Sequence, residues 1–323
     1  MIPIRDAIRS NNFPVINILI IVLNVLAFLW ELSQGPRLRE AFSLFGIVPI
    51  RYSDPEISAH FTKFQQLIPF LTSMFLHGGF LHIIGNMWFL YIFGDNVEDR
   101  LGHIRYFIFY LLCGLTAGLI QLFTNWNSKI PTIGASGAIS GVMGGYLFLY
   151  PRARVLTLIP IFIFFQFVEL PAFIFFGYWL LLQLFFAGFT PSNLGGVAWW
   201  AHIGGFATGF IFVKIFDVIP RIGLDGGLRR YTGRQTTPRI QPLSLRELPE
   251  ELDLYGTIEI TQREAHYGTR KLISIPQGLG KRSLMVTVPP GVKEGTHLRL
   301  KGLGKKDRNG NRGDLSLGVR VID

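Results

Sequence analysis

Long apolar runs separated by short polar connections fill the chain up to about residue 218, and a different pattern follows. Phe13–Leu32 is apolar enough and long enough to cross hydrocarbon, which takes about 20 residues of helix. Further spans are predicted near Gly79–Phe93, Ile104–Phe123, Gly134–Tyr150, Pro171–Phe189 and Val197–Phe216, six with the first. No small-residue cleavage site follows Leu32, so the first run is expected to stay as an anchor. Val155–Val168 is also apolar, but it carries Pro160 and, at about 14 residues, is short for a span. It is expected to be interfacial or re-entrant.

Beyond Glu250 the periodicity changes to short alternating runs at Thr257–Ile260, Leu272–Ile275, Leu284–Val288, Leu298–Leu300 and Leu315–Val321. Turn signals such as Pro289-Pro290-Gly291 and Asn309-Gly310 separate them, the pattern of a small β-rich domain. The expected fold class is therefore an α-helical polytopic membrane protein, a six-helix bundle, followed by a small cytoplasmic β-rich domain.

Composition agrees with a lipid solvent: 49% of residues are hydrophobic, 16% are charged, and 29 are phenylalanine. The net charge of +10 could suggest nucleic acid. Basic residues beside membrane spans account for it, and no nucleic-acid partner is expected. Arg5/Arg9, Arg100/Arg105, Arg152/Arg154 and Arg221/Arg229/Arg230 fall in alternate connections if Val155–Val168 does not cross. That arrangement predicts cytoplasmic N- and C-termini. The single cysteine, Cys113, has no partner for a disulfide, and no Cys/His cluster has ligand spacing, so neither metal nor cofactor is expected.

On this topology four polar side chains from three helices share the outer slab of the bilayer. Ser136 enters from the external side and lies about two turns, on the order of 10 Å, below the surface. His202 follows Trp199-Trp200, which reads as an aromatic belt. His82 and Asn86 are four residues apart on one helical face. Gly137, Gly141 and Gly145 on one helix, and Gly205 and Gly209 on another, form small-xxx-small faces that let backbones approach. Gly134 and Gly137 flank the serine. Close approach would bring Ser136 within hydrogen-bond reach of His202, the base a hydroxyl nucleophile needs. The Ser136 amide, Asn86 and His82 could then stabilise an oxyanion. No carboxylate is placed to orient His202, so a Ser–His dyad is expected. His77 reads as a structural residue at a helix entrance, Asp95, Glu98 and Asp99 as solvated turn or capping groups, and Glu169 as a helix cap.

The segments HGGFLHIIGNMWFLYIFGDNVEDRLG, GASGAISGVMGG and AHIGGFATG, in this order, resemble the signature of rhomboid intramembrane serine proteases. The resemblance covers residues 1–218 and implies Ser136 as nucleophile, His202 as general base, and His82 and Asn86 as oxyanion-hole contributors. It implies cleavage of transmembrane protein substrates near their external ends, within the lipid bilayer. With the positively charged N-terminus and no transit-peptide pattern, a bacterial inner membrane is expected. Two features depart from some members. Ile68-Pro69 stands about where they carry a Trp-Arg pair, and Ser140 stands where they carry a tyrosine stacked on the base.

Residues 219–250 read as a basic flexible linker. Residues 251–323 resemble the C-terminal peptide-binding module of DnaJ-type co-chaperones, carried by DLYGTIEITQREAHYGTRKLISIP and LMVTVPPGVKEGTHLRLKGLGKKDRNGNRGDLSLGVRV. That resemblance implies an unfolded or extended peptide as partner. No His-Pro-Asp tripeptide of a J domain occurs. The module could recruit substrates, regulate or dimerise. The competing reading of the whole chain is a non-proteolytic adaptor that binds membrane clients.

Overall fold

The computed structural model describes residues 1–8, 10–161, 164–190, 196–218, 232, 240–243, 245–247, 252–277, 280–306 and 312–322. The chain divides into two compact units, Met1–Gly233 and Arg234–Asp323. Most of residues 219–250, read as a linker, lie outside the described residues.

The first unit is built on six long helices: α1 (Val15–Gln34), α2 (Phe80–Leu101), α3 (His103–Thr124), α4 (Ser136–Leu149), α5 (Ala172–Phe189) and α6 (Trp199–Val218). Val15–Phe45, which contains α1, and α3, α5 and α6 are each long and apolar enough to cross a membrane. The chain is thus an integral membrane protein. A run of short helices at Lys63–Phe75 precedes α2 at an angle of 76°. α4 has only 14 residues, and Gly137–Tyr146 are all buried, so it sits inside the bundle rather than against lipid.

Polar side chains tie the helix ends together where backbone groups would otherwise be orphaned. Glu98 of α2 is buried, and its carboxylate accepts the amides of Ile16 (3.0 Å) and Asn17 (2.7 Å) at the start of α1. It also meets His103. The residue expected to be a solvated turn or capping group is therefore a buried cap for a neighbouring helix. Tyr106 donates to Asn17 Oδ1 (2.7 Å), and Asn17 donates to Leu90 O (3.0 Å), linking α1, α2 and α3.

The short apolar run after α4, expected to be interfacial or re-entrant, does not form a helix. It forms an antiparallel hairpin of β2 (Arg154–Ile161) and β3 (Phe164–Pro171), and β1 (Ile2–Asp6) pairs antiparallel along β2. Val155 and Thr157 are fully buried on one face, whereas Phe165 and Phe167 are exposed on the other. The β-branched and aromatic content favours extension, and the third strand pairs backbone groups that a lone hairpin would leave open. Glu169 lies opposite Leu156 in β3, so it does not cap α5; Pro171 holds that position without a side-chain cap.

The second unit contains two sheets. One has strand order β5-β6-β10-β9, from β5 (Arg246–Glu247), β6 (Leu254–Thr261), β10 (Leu315–Ile322) and β9 (His297–Leu300). The other is β4 (Ile240–Pro242), β7 (Thr269–Gln277) and β8 (Gly280–Val288). β4 and β5 thus give part of the stretch read as linker to this unit. β6 and β10 run parallel in register from Leu254↔Leu315 to Thr261↔Ile322. Alternate residues Ile258, Ile260, Leu315, Leu317, Val319, Ile273, Ile275, Val286 and Val288 form its core, as period-two patterning requires. Thr261 starts a short helix, α7 (Gln262–Tyr267), with a capping box to Glu264.

Candidate active site

The site begins with the contact between α4 and α6. A Cβ on Gly205 would lie 2.0 Å from the Gly137 carbonyl oxygen, and one on Gly144 would lie 2.1 Å from Phe206 O. Only glycine lets these backbones touch. The residue after Ser136 is thereby set beside the residue before His202: a Cβ on Gly137 would lie 3.8 Å from Ala201 Cβ. Gly141 faces Cys113 of α3 in the same way, at 2.4 Å from Cys113 Cβ.

Ser136 is half-buried at the first position of α4, after an extended approach that the loop between α1 and α2 holds in place. Ile47 and Thr132 exchange backbone hydrogen bonds (3.1 and 2.8 Å), and the Gly134 amide donates to Ser73 O (2.8 Å). Arg51 organises that loop. Its guanidinium is buried, donates to the carbonyls of Ser43, Leu44 and Gln65, and lies 4.0 Å from the Phe61 ring centroid. The anchoring cation of this loop thus lies well before Ile68-Pro69.

Gly134 has φ +130°, which strongly favours glycine, and a Cβ there would meet His82 Cε1 at 2.9 Å, His82 Nε2 at 3.0 Å and Ser136 Oγ at 3.5 Å. The His82 ring and the Ser136 hydroxyl therefore border the same glycine. The Gly78 amide donates to His82 Nδ1 (3.2 Å). A backbone N–H can only donate, so the neutral ring carries its proton on Nε2, the nitrogen facing Gly134. One turn along α2, Asn86 is buried, and its Nδ2 has no hydrogen-bond partner among the described residues. His77 is fully buried; its backbone amide donates to Glu31 Oε1 (2.9 Å), and its ring centroid is 5.1 Å from that of His82. It thus packs against His82.

His202 is held from α5. Its Nδ1 meets Gln183 Oε1 at 2.7 Å, and the Trp179 ring, one turn earlier on α5, lies 6.0 Å away between centroids. Trp199 approaches the imidazole edge-on at 6.3 Å. Aromatic packing against His202 comes from these tryptophans. Ser140 instead donates its hydroxyl to Ser136 O (2.7 Å). Among the described residues no hydrogen bond joins the Ser136 hydroxyl to His202. On α3, Gln121 Oε1 accepts the Ala201 amide (3.1 Å) and so satisfies an open donor in the first turn of α6.

A cavity of about 480 Å³ opens here, with His82, Gln121, Thr132, Ala198 and Trp199 among its lining residues. A smaller one of about 20 Å³ reaches Ser136 and shares Thr132, Ile133 and Ala198 with the larger.

Gln183, Trp179, Gln121 and Arg51 were not singled out by the sequence reading. A lone glutamine in the otherwise apolar run of α5 was the available signal, since polar side chains in a span tend to face a partner.

Residues 65–217 match the family model of the Rhomboid domain, and residues 254–323 match that of the DnaJ C terminal domain. The chain is a polytopic membrane protein that carries a Rhomboid domain joined to a DnaJ C terminal domain. It is similar to RHOMBOID-like protein 6, mitochondrial, of Arabidopsis thaliana, 31% identical over 158 residues, or 48% of this chain and 45% of the relative. RHOMBOID-like protein 4 of the same plant is 32% identical over 161 residues, 47% of this chain and 35% of the relative. Rhomboid protease GluP of Bacillus subtilis is 28% identical over 221 residues, 68% of this chain and 38% of the relative. The chain spans less than half the length of each of these relatives.

Proposed function

We propose that the protein is an intramembrane serine endopeptidase that cuts transmembrane segments of membrane-protein substrates. The observation that carries this reading is the pair of imidazoles, His82 bordering the same glycine as the Ser136 hydroxyl and His202 one residue beyond the Ala201–Gly137 contact. His82 Nδ1 accepts from Gly78, and His202 Nδ1 meets a carbonyl oxygen of Gln183. One ring is therefore an Nε2–H donor, while the other has a free lone pair at Nε2.

In this reading His202 Nε2 takes the Ser136 proton as Oγ bonds to the substrate carbonyl carbon. The oxyanion accepts hydrogen bonds from His82 Nε2–H, Asn86 Nδ2–H and the Ser136 amide. His202 then protonates the leaving amine as the C–N bond breaks, and water releases the acyl group by the reverse relay. The missing Ser136–His202 bond is compatible with this sequence, because catalytic hydrogen bonds commonly tighten only when substrate is bound. The 480 Å³ cavity beside His82 would admit water and an unwound substrate segment.

The basic residues Arg5, Arg100, Arg105, Arg152 and Arg154 lie at the opposite ends of these helices from Ser136 and His202, which favours a cytoplasmic N-terminus and a site opening outward in a bacterial inner membrane. The domain limits that go with this reading are 1–218 and 251–323, with β4 and β5 of the intervening 219–250 joined to the second unit. In the second unit β8 and β9 each end a sheet, and an extended peptide could add there by backbone hydrogen bonds. That unit would capture the cytoplasmic portion of substrates. Removing residues after Glu250 should then abolish the preference for substrates with cytoplasmic tails; unchanged discrimination would sink the recruitment role.

The deciding experiment is fluorophosphonate labelling with a cleavage assay on a reconstituted transmembrane substrate, using wild type, Ser136→Ala and His202→Ala. Labelling and cleavage by wild type alone is expected. Client binding by a wild-type protein that neither labels nor cleaves would establish an adaptor instead.

A further inference from the structure

An imidazole exchanges its proton between two nitrogens, and only the Nδ1–H form leaves Nε2 able to accept from a serine. Soluble serine hydrolases settle the matter with a buried carboxylate on Nδ1, and converting that carboxylate to an amide that donates to the ring leaves the wrong tautomer. In this protein the imidazole of His202 has one hydrogen-bond partner among the described residues, Gln183 Oε1 at 2.7 Å. Gln183 is 6% exposed, on the buried face of a helix whose lipid-facing residues include Leu181, Leu184 and Phe185. An amide buried in such a helix is retained at a cost, and it is spent on this one ring.

Resting on the Ser136–His202 reading above, we propose that Gln183 is the positioning residue of the base. Its side-chain carbonyl holds the proton on His202 Nδ1 and so presents the Nε2 lone pair toward Ser136. Trp179, on the same face of α5, sets the ring plane while Gln183 sets its rotation and tautomer. The neutral amide supplies an acceptor without a buried ionised group, which a membrane interior penalises. It also stabilises the imidazolium less than a carboxylate would. The site is therefore a dyad with a neutral orienting residue on a third helix.

The test compares Gln183→Met, which keeps length and volume but lacks the acceptor, with Gln183→Glu, which restores an acceptor oxygen. Thermal unfolding in detergent confirms that each variant is folded. Gln183→Met is expected to lower kcat on the order of tenfold to a hundredfold at nearly unchanged KM, within the range of acid–base contributions. Gln183→Glu is expected to recover a substantial part of that loss. A folded Gln183→Met with wild-type kcat, or a folded Gln183→Glu as slow as the methionine variant, would overturn the assignment.

A second readout does not depend on proteolysis. With ¹⁵N-labelled histidine and His202→Ala for assignment, His202 in wild type should show a protonated Nδ1 and an unprotonated Nε2. Gln183→Met should give a mixture of tautomers. Protonation of wild-type His202 at Nε2 would overturn the proposal whatever the activity. A tautomer shift in a protein that never cleaves would keep the role of Gln183 and refute the protease reading alone.

Discussion

A Cβ on Gly209 would lie 1.9 Å from the carbonyl oxygen of Gly141, so α4 and α6 meet there backbone to backbone. Gly205 repeats the contact one turn nearer the site, against Gly137 O. Gly209→Ala or Gly205→Ala must push the two helices apart, and such overpacking costs about 1–3 kcal/mol. Gly177→Ala in α5 is the control, since nothing lies within 4 Å of its added methyl. Unfolding midpoints in detergent should fall for the first two and hold or rise slightly for the third.

Asn86 contributes a buried donor with no partner among the described residues. If that donor is reserved for the oxyanion, Asn86→Ala should leave the fold intact and lower kcat by about 10²–10³-fold, with little change in KM. A comparable loss is expected for His82→Ala. Steady-state cleavage of a reconstituted substrate checks both, and wild-type turnover in Asn86→Ala would remove it from the oxyanion hole.

Arg51 binds three loop carbonyls and covers the Phe61 ring. A lysine keeps the charge but cannot reproduce the planar fork. Arg51→Lys should therefore destabilise by about 1–3 kcal/mol, the cost of leaving buried acceptors unpaired. Because the same loop straps Thr132 and Gly134, limited proteolysis should become faster within residues 35–75.

Asp6, outside the spanning segments, accepts hydrogen bonds from Tyr146 (2.7 Å) and Asn96 (2.7 Å). Burial pushes its carboxyl up from 3.8 to about 6, against the lowering effect of the Tyr146 bond and of nearby backbone amides. Between these values the folded state holds more protons than the unfolded state, so stability should fall as pH rises from about 4 to about 6. Asp6→Asn should flatten that part of the profile. Unfolding midpoints of both proteins across the window measure it.

Much of the architecture was legible in order along the chain. Spans show as apolar runs because lipid demands about 20 such residues, and the strands of the second unit show as period-two alternation. Ser136, His82, Asn86 and His202 stood out because polar groups in apolar helices need a reason, and the glycine spacing named the faces that touch.

What the sequence could not determine are the partnerships between distant segments. Gln183 meets His202 only because α5 packs on α6, and Glu98 caps α1 only because the start of that helix reaches the end of α2. Residues 2–6 become a strand only because residues 154–161 lie alongside to pair with them. A helix or hairpin advertises itself through local periodicity, whereas a hydrogen bond between side chains on different elements depends on angles and depths that no local pattern encodes. Tertiary structure therefore decided which nitrogen of each imidazole is left free, and with it which ring can donate and which can accept.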